Sequence, residues 1–154
     1  MPAILLIEDN RADVVLLRRA FETTGVLWDC TVVSDGQTGM DYLSEAMRTG
    51  TLPAYVLMDL RLPRFSGLEV LAWMRTLEEL RKIRVVVFTS SSSDEDRANA
   101  ERFGIEAYVS KPSNMDEYKK VVRRLAELWH LPSAVNNHQT VQPSSPPKLV
   151  VSQS

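Results

Sequence analysis

A chain of 154 residues, 44% apolar and 25% charged, is long enough for one globular domain with a substantial core. Its formal net charge of −2 gives no bulk electrostatic basis for binding nucleic acid or an anionic membrane. Cys30 is the one cysteine and reads as a small buried hydrophobe; no apolar run approaches the ~18 residues of a membrane span, and the acidic, non-basic N-terminus does not read as a secretion signal, so a cytoplasmic protein is expected.

Ile4–Ile7 is short, apolar and branched, which predicts a buried strand. It runs directly into Glu8 and Asp9, two adjacent acids where a turn residue would be usual. Asn10 can cap a helix that places Val14, Leu17 and Phe21 on one face, with Asp13 completing a weak capping box and Gly25 as the stop. WDCTVV (28–33) predicts the second strand, and the SDG turn opens a helix carrying Met40, Leu43, Ala46 and Met47 up to Gly50. AYVLMDL (54–60) predicts the third strand. A loop with Pro63 and Gly67 leads to LEVLAWMRTL, whose Leu68, Leu71, Ala72 and Met74 have helical spacing. RVVVFTS (84–90) predicts the fourth strand, and Ser92 with Glu95 a capping box for DEDRANAERF, stopped by Gly104. EAYVS (106–110) predicts the fifth. The last helix begins near Met115, with Tyr118, Val121, Val122, Leu125, Leu128 and Trp129 on one face and Pro132 closing it. From Ser133 the composition turns polar, Pro- and Ser-rich and aperiodic, which predicts a disordered tail over 133–154 behind a domain of residues 1–132.

Five strands alternating with five helices predict parallel βαβ units with right-handed crossovers. The expected fold class is α/β: a three-layer sandwich around a five-stranded parallel sheet of flavodoxin-like order 2-1-3-4-5. In such sheets the functional crevice lies at the carboxyl ends of the strands. Five chemically active groups fall there: Glu8 and Asp9, Asp59, Thr89, and Lys111 followed by Pro112. Any one of them alone would read as a helix cap or a solvated surface group. Their coincidence on one rim is the signal. Clustered carboxylates raise one another's pKa unless a cation joins them, and their hard oxygens suit Mg²⁺. A divalent cation thus explains why an apolar strand ends in two acids.

LLIEDN, LMDLRLP, FTSS and YVSKP, in this order and on these strands, resemble the receiver domain of two-component response regulators over about residues 3–130. The EDNRADVVLLRRAFE stretch is similar to the small regulators that pair with bacterial and cyanobacterial phytochromes. The resemblance implies that Asp59 accepts a phosphoryl group from a sensor histidine kinase, in this subgroup a bacteriophytochrome. It implies that Asp9 binds Mg²⁺ directly, Glu8 through water, and Asp59 and the backbone carbonyl of Arg61 complete the protein ligands. Lys111 then pairs with the acids and with the phosphoryl group, and the peptide to Pro112 is often cis. Thr89 is the switch hydroxyl and Tyr108 the aromatic that moves behind it. Where the family often has Asn and an acidic or polar residue, this chain has Arg61 and Ser91, which flank the path of attacking water.

The leading expectation is therefore a phosphorylation-dependent signalling protein, not a turnover enzyme, acting only on its own phosphoryl group. Too few residues follow the last helix for a DNA-binding output domain, so output through protein contacts is expected. A homodimer through the fourth predicted helix, the fifth strand and the last helix is one such contact, with Trp129 and Leu131 as its apolar area. A phosphorelay intermediate and an unphosphorylated docking module are the alternatives within the family. A flavin-binding protein of the same topology is disfavoured, because Glu8 and Asp9 would repel a phosphate dianion. A Mg²⁺-dependent phosphohydrolase commonly has a second acid where Arg61 stands. Trp73 and Trp129 read as packing residues, and His130 and His138 lie off the active edge.

Overall fold

The structure is a computed structural model, and it describes residues 1–134 together with the backbone of Lys148–Leu149. The elements run β1 (Ala3–Ile7), α1 (Arg11–Thr24), β2 (Asp29–Val33), α2 (Gly36–Thr49), β3 (Tyr55–Met58), α3 (Gly67–Thr76), α4 (Glu78–Arg81), β4 (Arg84–Thr89), α5 (Asp94–Arg102), β5 (Ala107–Ser110), α6 (Met115–Trp129) and β6 (Lys148–Leu149). All paired strands are parallel, in the order β5-β4-β3-β1-β2-β6, so the expected 2-1-3-4-5 core is present.

Side chains alternate across a strand, and here both sides are apolar. Ile4, Leu6, Leu57, Val86 and Phe88 face one way and bury against Leu17 and Phe21 of α1 and Val122, Leu125 and Trp129 of α6. Leu5, Ile7, Val56, Met58, Val85 and Val87 face the other way, against Leu43 of α2, Leu71 and Met74 of α3 and Ala100 of α5. Two cores with the sheet between them make the three layers. Cys30 is fully buried, and burial pushes its thiol well above the ordinary range, so it packs as a hydrophobe.

Local details differ from the sequence reading. The cap of α5 is Ser93, whose side chain accepts from Asp96 N, and not Ser92 with Glu95. The shift by one residue arises because Ser91 Oγ turns to Asp96 Oδ2 (2.7 Å) and accepts from Ser93 N, drawing the chain tight before the helix. The complete capping box belongs instead to Ser66 and Glu69 at α3. A single extra turn, α4, separates α3 from β4, where the sequence has no spacing long enough to announce a helix. Among the described residues no peptide is cis, so Lys111–Pro112 is trans, the form X–Pro bonds favour by about 0.5–1 kcal/mol.

Trp129 also departs from its role as a dimer anchor. It is 1% exposed, stacks on Tyr55 with ring centroids 4.5 Å apart, and donates its indole N–H to Glu106 Oε1 at 2.9 Å. Leu131 is buried too. Trp73 is half-buried against the second core, a packing role as expected. Among the described residues Met1 and Val15 are the large exposed hydrophobics, and Met115, Val121, Ala126 and Leu128 of α6 are partly buried.

The expected tail and His138 fall mostly outside the described residues. Within the tail, Ser133 bridges Val26, Ala134 N donates to Gly25 O, and Lys148–Leu149 pairs with Thr31 and Val32. A two-residue strand carries no periodicity; what it pairs with is the open edge of β2.

Candidate functional site

The site is built where β1, β3 and β5 end. Glu8 N donates to Val33 O at 3.0 Å and Asp59 N to Ile7 O at 3.1 Å, which carries the sheet ladder one residue beyond the strands and fixes both acids side by side. Hydrophobic burial tolerates this crowding. The four buried side chains of Ile4–Ile7 contribute on the order of 6–12 kcal/mol. Burial, and then the charge of Asp59, push the Glu8 carboxyl up to about 7, well above the ordinary carboxylate range. That corresponds to about 3 kcal/mol for holding it ionised at neutral pH, so strand burial outweighs it.

Glu8 and Asp59 are buried and Asp9 is exposed, and ligand oxygens of the three lie within 4.8 Å of one another. Glu8 Oε2 accepts from Asn10 N, and Oε1 pairs with the Lys111 ammonium at 2.8 Å. Three clustered carboxylates, two of them buried, are a donor set of hard oxygens that fits a divalent cation. Arg61 N donates to Asp59 Oδ1 at 3.2 Å, which brings the backbone of Arg61 beside the same cluster.

Lys111, just beyond β5, places its ammonium in the cluster: Nζ is 2.7 Å from Asp59 Oδ2, 2.8 Å from Glu8 Oε1 and 2.6 Å from Asp13 Oδ2. Burial alone would lower its pKa; the bonds that the ammonium donates to Asp13, Asp59 and Glu8 outweigh that and hold it above the ordinary lysine value. The amine is therefore a cation held among three carboxylates.

Thr89 is fully buried at the end of β4, and its Oγ1 accepts from Ser91 N at 3.2 Å. The register of Met58 with Val87 puts Thr89 on the same edge as Asp59. Tyr108 is half-buried; its hydroxyl donates to Ser91 O at 3.1 Å, and the Arg97 guanidinium lies 5.4 Å from its ring centroid. Arg61 is exposed and pairs with Asp96 Oδ2 at 3.6 Å, the oxygen that also accepts from Ser91. The two residues flanking the site are thus tied to one carboxylate on α5. His130 caps α6 away from this edge.

Sequence reasoning missed Asp13, Tyr118 and Asp96 as members of the site. Asp13 N is satisfied by Asn10 Oδ1, but Asn10 N goes to Glu8, so only half of the expected capping box forms. The Asp13 side chain is released toward Lys111 and accepts from the Tyr118 hydroxyl at 2.9 Å. Its position one helical turn after Asp9 was the available signal.

Known proteins share this sequence pattern and fold. The chain is 41% identical over 127 residues to the "probable methanogenesis regulatory protein FilR2" of Methanothrix harundinacea (strain 6Ac), covering 82% of each chain. The phosphorylated cyanobacterial phytochrome response regulator RcpA superimposes with a TM-score of 0.76 at 31% identity, over 86% of this chain and 99% of that one. The Mn²⁺-bound response regulator Rcp1 also gives 0.76, at 29% identity, over 86% of this chain and 100% of that one. The response regulator receiver domain model matches residues 4–123, which spans the strand-end acids, Thr89 and Lys111 alike, and the chain belongs to that family.

Proposed function

We propose that this chain is a phosphorylation switch in which Asp59 takes a phosphoryl group from the phosphohistidine of a sensor kinase. The observation that carries the reading is the buried contact of Asp59 with Lys111 beside two further acids. One Asp59 carboxylate oxygen attacks phosphorus, the P–N bond breaks, and its electron pair returns to the imidazole nitrogen. Lys111, already 2.7 Å from Asp59, is placed to meet the negative oxygens of the arriving group. Glu8, Asp9, Asp59 and the Arg61 carbonyl would hold Mg²⁺, which supplies charge neutralisation to carboxylates and phosphoryl oxygens when bound. Thr89 would turn to the new phosphoryl oxygen and Tyr108 would follow. The protein transforms nothing but itself, in the cytoplasm beside its kinase.

The likeness to RcpA and Rcp1 supports a kinase of the phytochrome class. The surface of α5, β5 and α6, which carries Tyr108, would be the regulated face, in a homodimer whose contacts are polar because Trp129 is committed to its own core. The test is incubation with a small-molecule phosphodonor and Mg²⁺, read by intact mass and by sedimentation of the same samples. A gain of about 80 Da, abolished by excess chelator, is expected together with a shift from monomer to dimer. No gain in mass refutes the switch; a gain without association refutes the dimer.

The phosphoryl lifetime follows from Arg61. Its exposed pair with Asp96 is worth about 0–1 kcal/mol, so a nearby phosphoryl dianion wins the guanidinium. Arg61 would then cover the phosphorus against in-line water, which Ser91, hydrogen-bonded to Asp96, does not orient. Arg61→Asn is expected to shorten the lifetime about two- to tenfold. Decay measured by mass with Mg²⁺ present decides; a variant as long-lived as the wild type removes the shielding role.

A further inference from the structure

Of the carboxylates around Lys111, one has no part in the metal-type cluster. Asp13 lies outside the Glu8, Asp9 and Asp59 group, yet its contact with Lys111 is the shortest of the three, at 2.6 Å. An ammonium has three N–H donors, and three carboxylates surround this one. A divalent cation on Glu8 and Asp59 would draw their negative charge away from the amine. Asp13 alone would be left to hold it.

Asp13 is itself fixed from the far side. Its Oδ1 accepts from the hydroxyl of Tyr118, a residue of α6 that is 1% exposed. That ring lies edge-on to Phe88 of β4, with centroids 6.0 Å apart. Burial, and then the bond to Asp13, hold the phenol above its ordinary range, so it remains a donor. A rigid chain therefore runs from α6 through Tyr118 and Asp13 to Lys111 and Asp59, and each link is a hydrogen bond of 2.9 Å or less.

We propose that Asp13 and Tyr118 are positioning residues that keep the Lys111 ammonium in place while Glu8 and Asp59 engage a divalent cation and Asp59 accepts its phosphoryl group. The proposal rests on the switch reading for the reaction, but the anchoring of Lys111 is separable from it. Without the pair, the amine would follow whichever carboxylate the cation leaves free, and its alignment with the arriving phosphoryl oxygens would be lost.

The test combines the Lys111 ammonium ¹H–¹⁵N signal with phosphorylation by a small-molecule donor in the full chain. In the wild type the signal should persist at saturating Mg²⁺, because Asp13 still shields the N–H protons from exchange. In Asp13→Asn it should vanish on adding Mg²⁺, and in Tyr118→Phe, which keeps the buried ring, it should broaden. Phosphorylation should slow about tenfold in Asp13→Asn and about threefold in Tyr118→Phe. In a Lys111→Met background neither substitution should slow it further. A persistent signal with Mg²⁺ in Asp13→Asn, or an undiminished further loss in the Lys111→Met background, overturns the proposal. Should the wild type accept no phosphoryl group at all, the switch reading fails, and the ammonium signal by itself decides the role of Asp13.

Discussion

Asp59→Asn will lose phosphorylation by at least about 10³-fold, although two other carboxylates, those of Glu8 and Asp13, contact the same amine. The amide is isosteric but keeps a single oxygen, so only one of Lys111 Nζ and Arg61 N retains its acceptor, and it is a far poorer nucleophile than a carboxylate. Glu8 cannot substitute: burial and the neighbouring acid push its carboxyl up to about 7, and its oxygens face Lys111 and Asn10 N. Asp13 is engaged at both oxygens by Lys111 and Tyr118. Asp9 is exposed and belongs to the cluster that fits the cation. Asp59 is buried, bonded to Lys111 at 2.7 Å and set among the metal-type donors. Intact mass after incubation with phosphodonor and Mg²⁺ reads the result. A wild-type yield in the variant would mean that another residue is the acceptor.

The second large effect lies one loop away. Gly67 is the first residue of α3, and its backbone presses on the segment that carries the acceptor. A Cβ built there would lie 2.2 Å from Asp59 O and 2.7 Å from Leu60 Cα, both backbone atoms that cannot swing aside. Gly67 N also donates to Leu60 O at 2.9 Å, so the contact is held closed. Gly67→Ala must push α3 off the end of β3. We expect a loss of about 2–4 kcal/mol, at the upper end of overpacking effects, and slower phosphorylation of the molecules that remain folded. Gly104 provides the contrast: it has φ 74° but open space around its Cβ position. Gly104→Ala should cost only about 1–2 kcal/mol from left-handed strain. Urea unfolding of the two variants compares them. Equal losses would show that the close approach at Gly67 relaxes freely.

Much of this molecule was legible before any coordinates. Short branched runs against longer amphipathic ones set the α/β alternation, because a run such as RVVVFT buries on both faces only inside a covered parallel sheet. Once the strands were placed, their ends brought Glu8, Asp9, Asp59, Thr89 and Lys111 to one edge, since a parallel sheet presents all its carboxyl ends on one side. Those five positions needed only strand boundaries accurate to a residue or two.

Other features depended on which side chains meet across elements. Asp13 looked like half of a helix cap, and only the turning of Asn10 N toward Glu8 freed it for Lys111. Tyr118 had the spacing of a core residue, and it is one; its hydroxyl acquires a role because α6 lies against α1. Trp129 looked like spare apolar area until Tyr55 and Glu106 were found around it. Asp96 was one acid among several at the start of α5, and Ser91 and Arg61 converge on it from two loops. Sequence periodicity determined which residues are inside and which strand end each lies on, because burial depends on a residue's own phase along its element. Only the tertiary structure decided the hydrogen-bond partners, because a pairing such as Asp13 with Tyr118 is set by how two distant elements pack, and no local spacing encodes it.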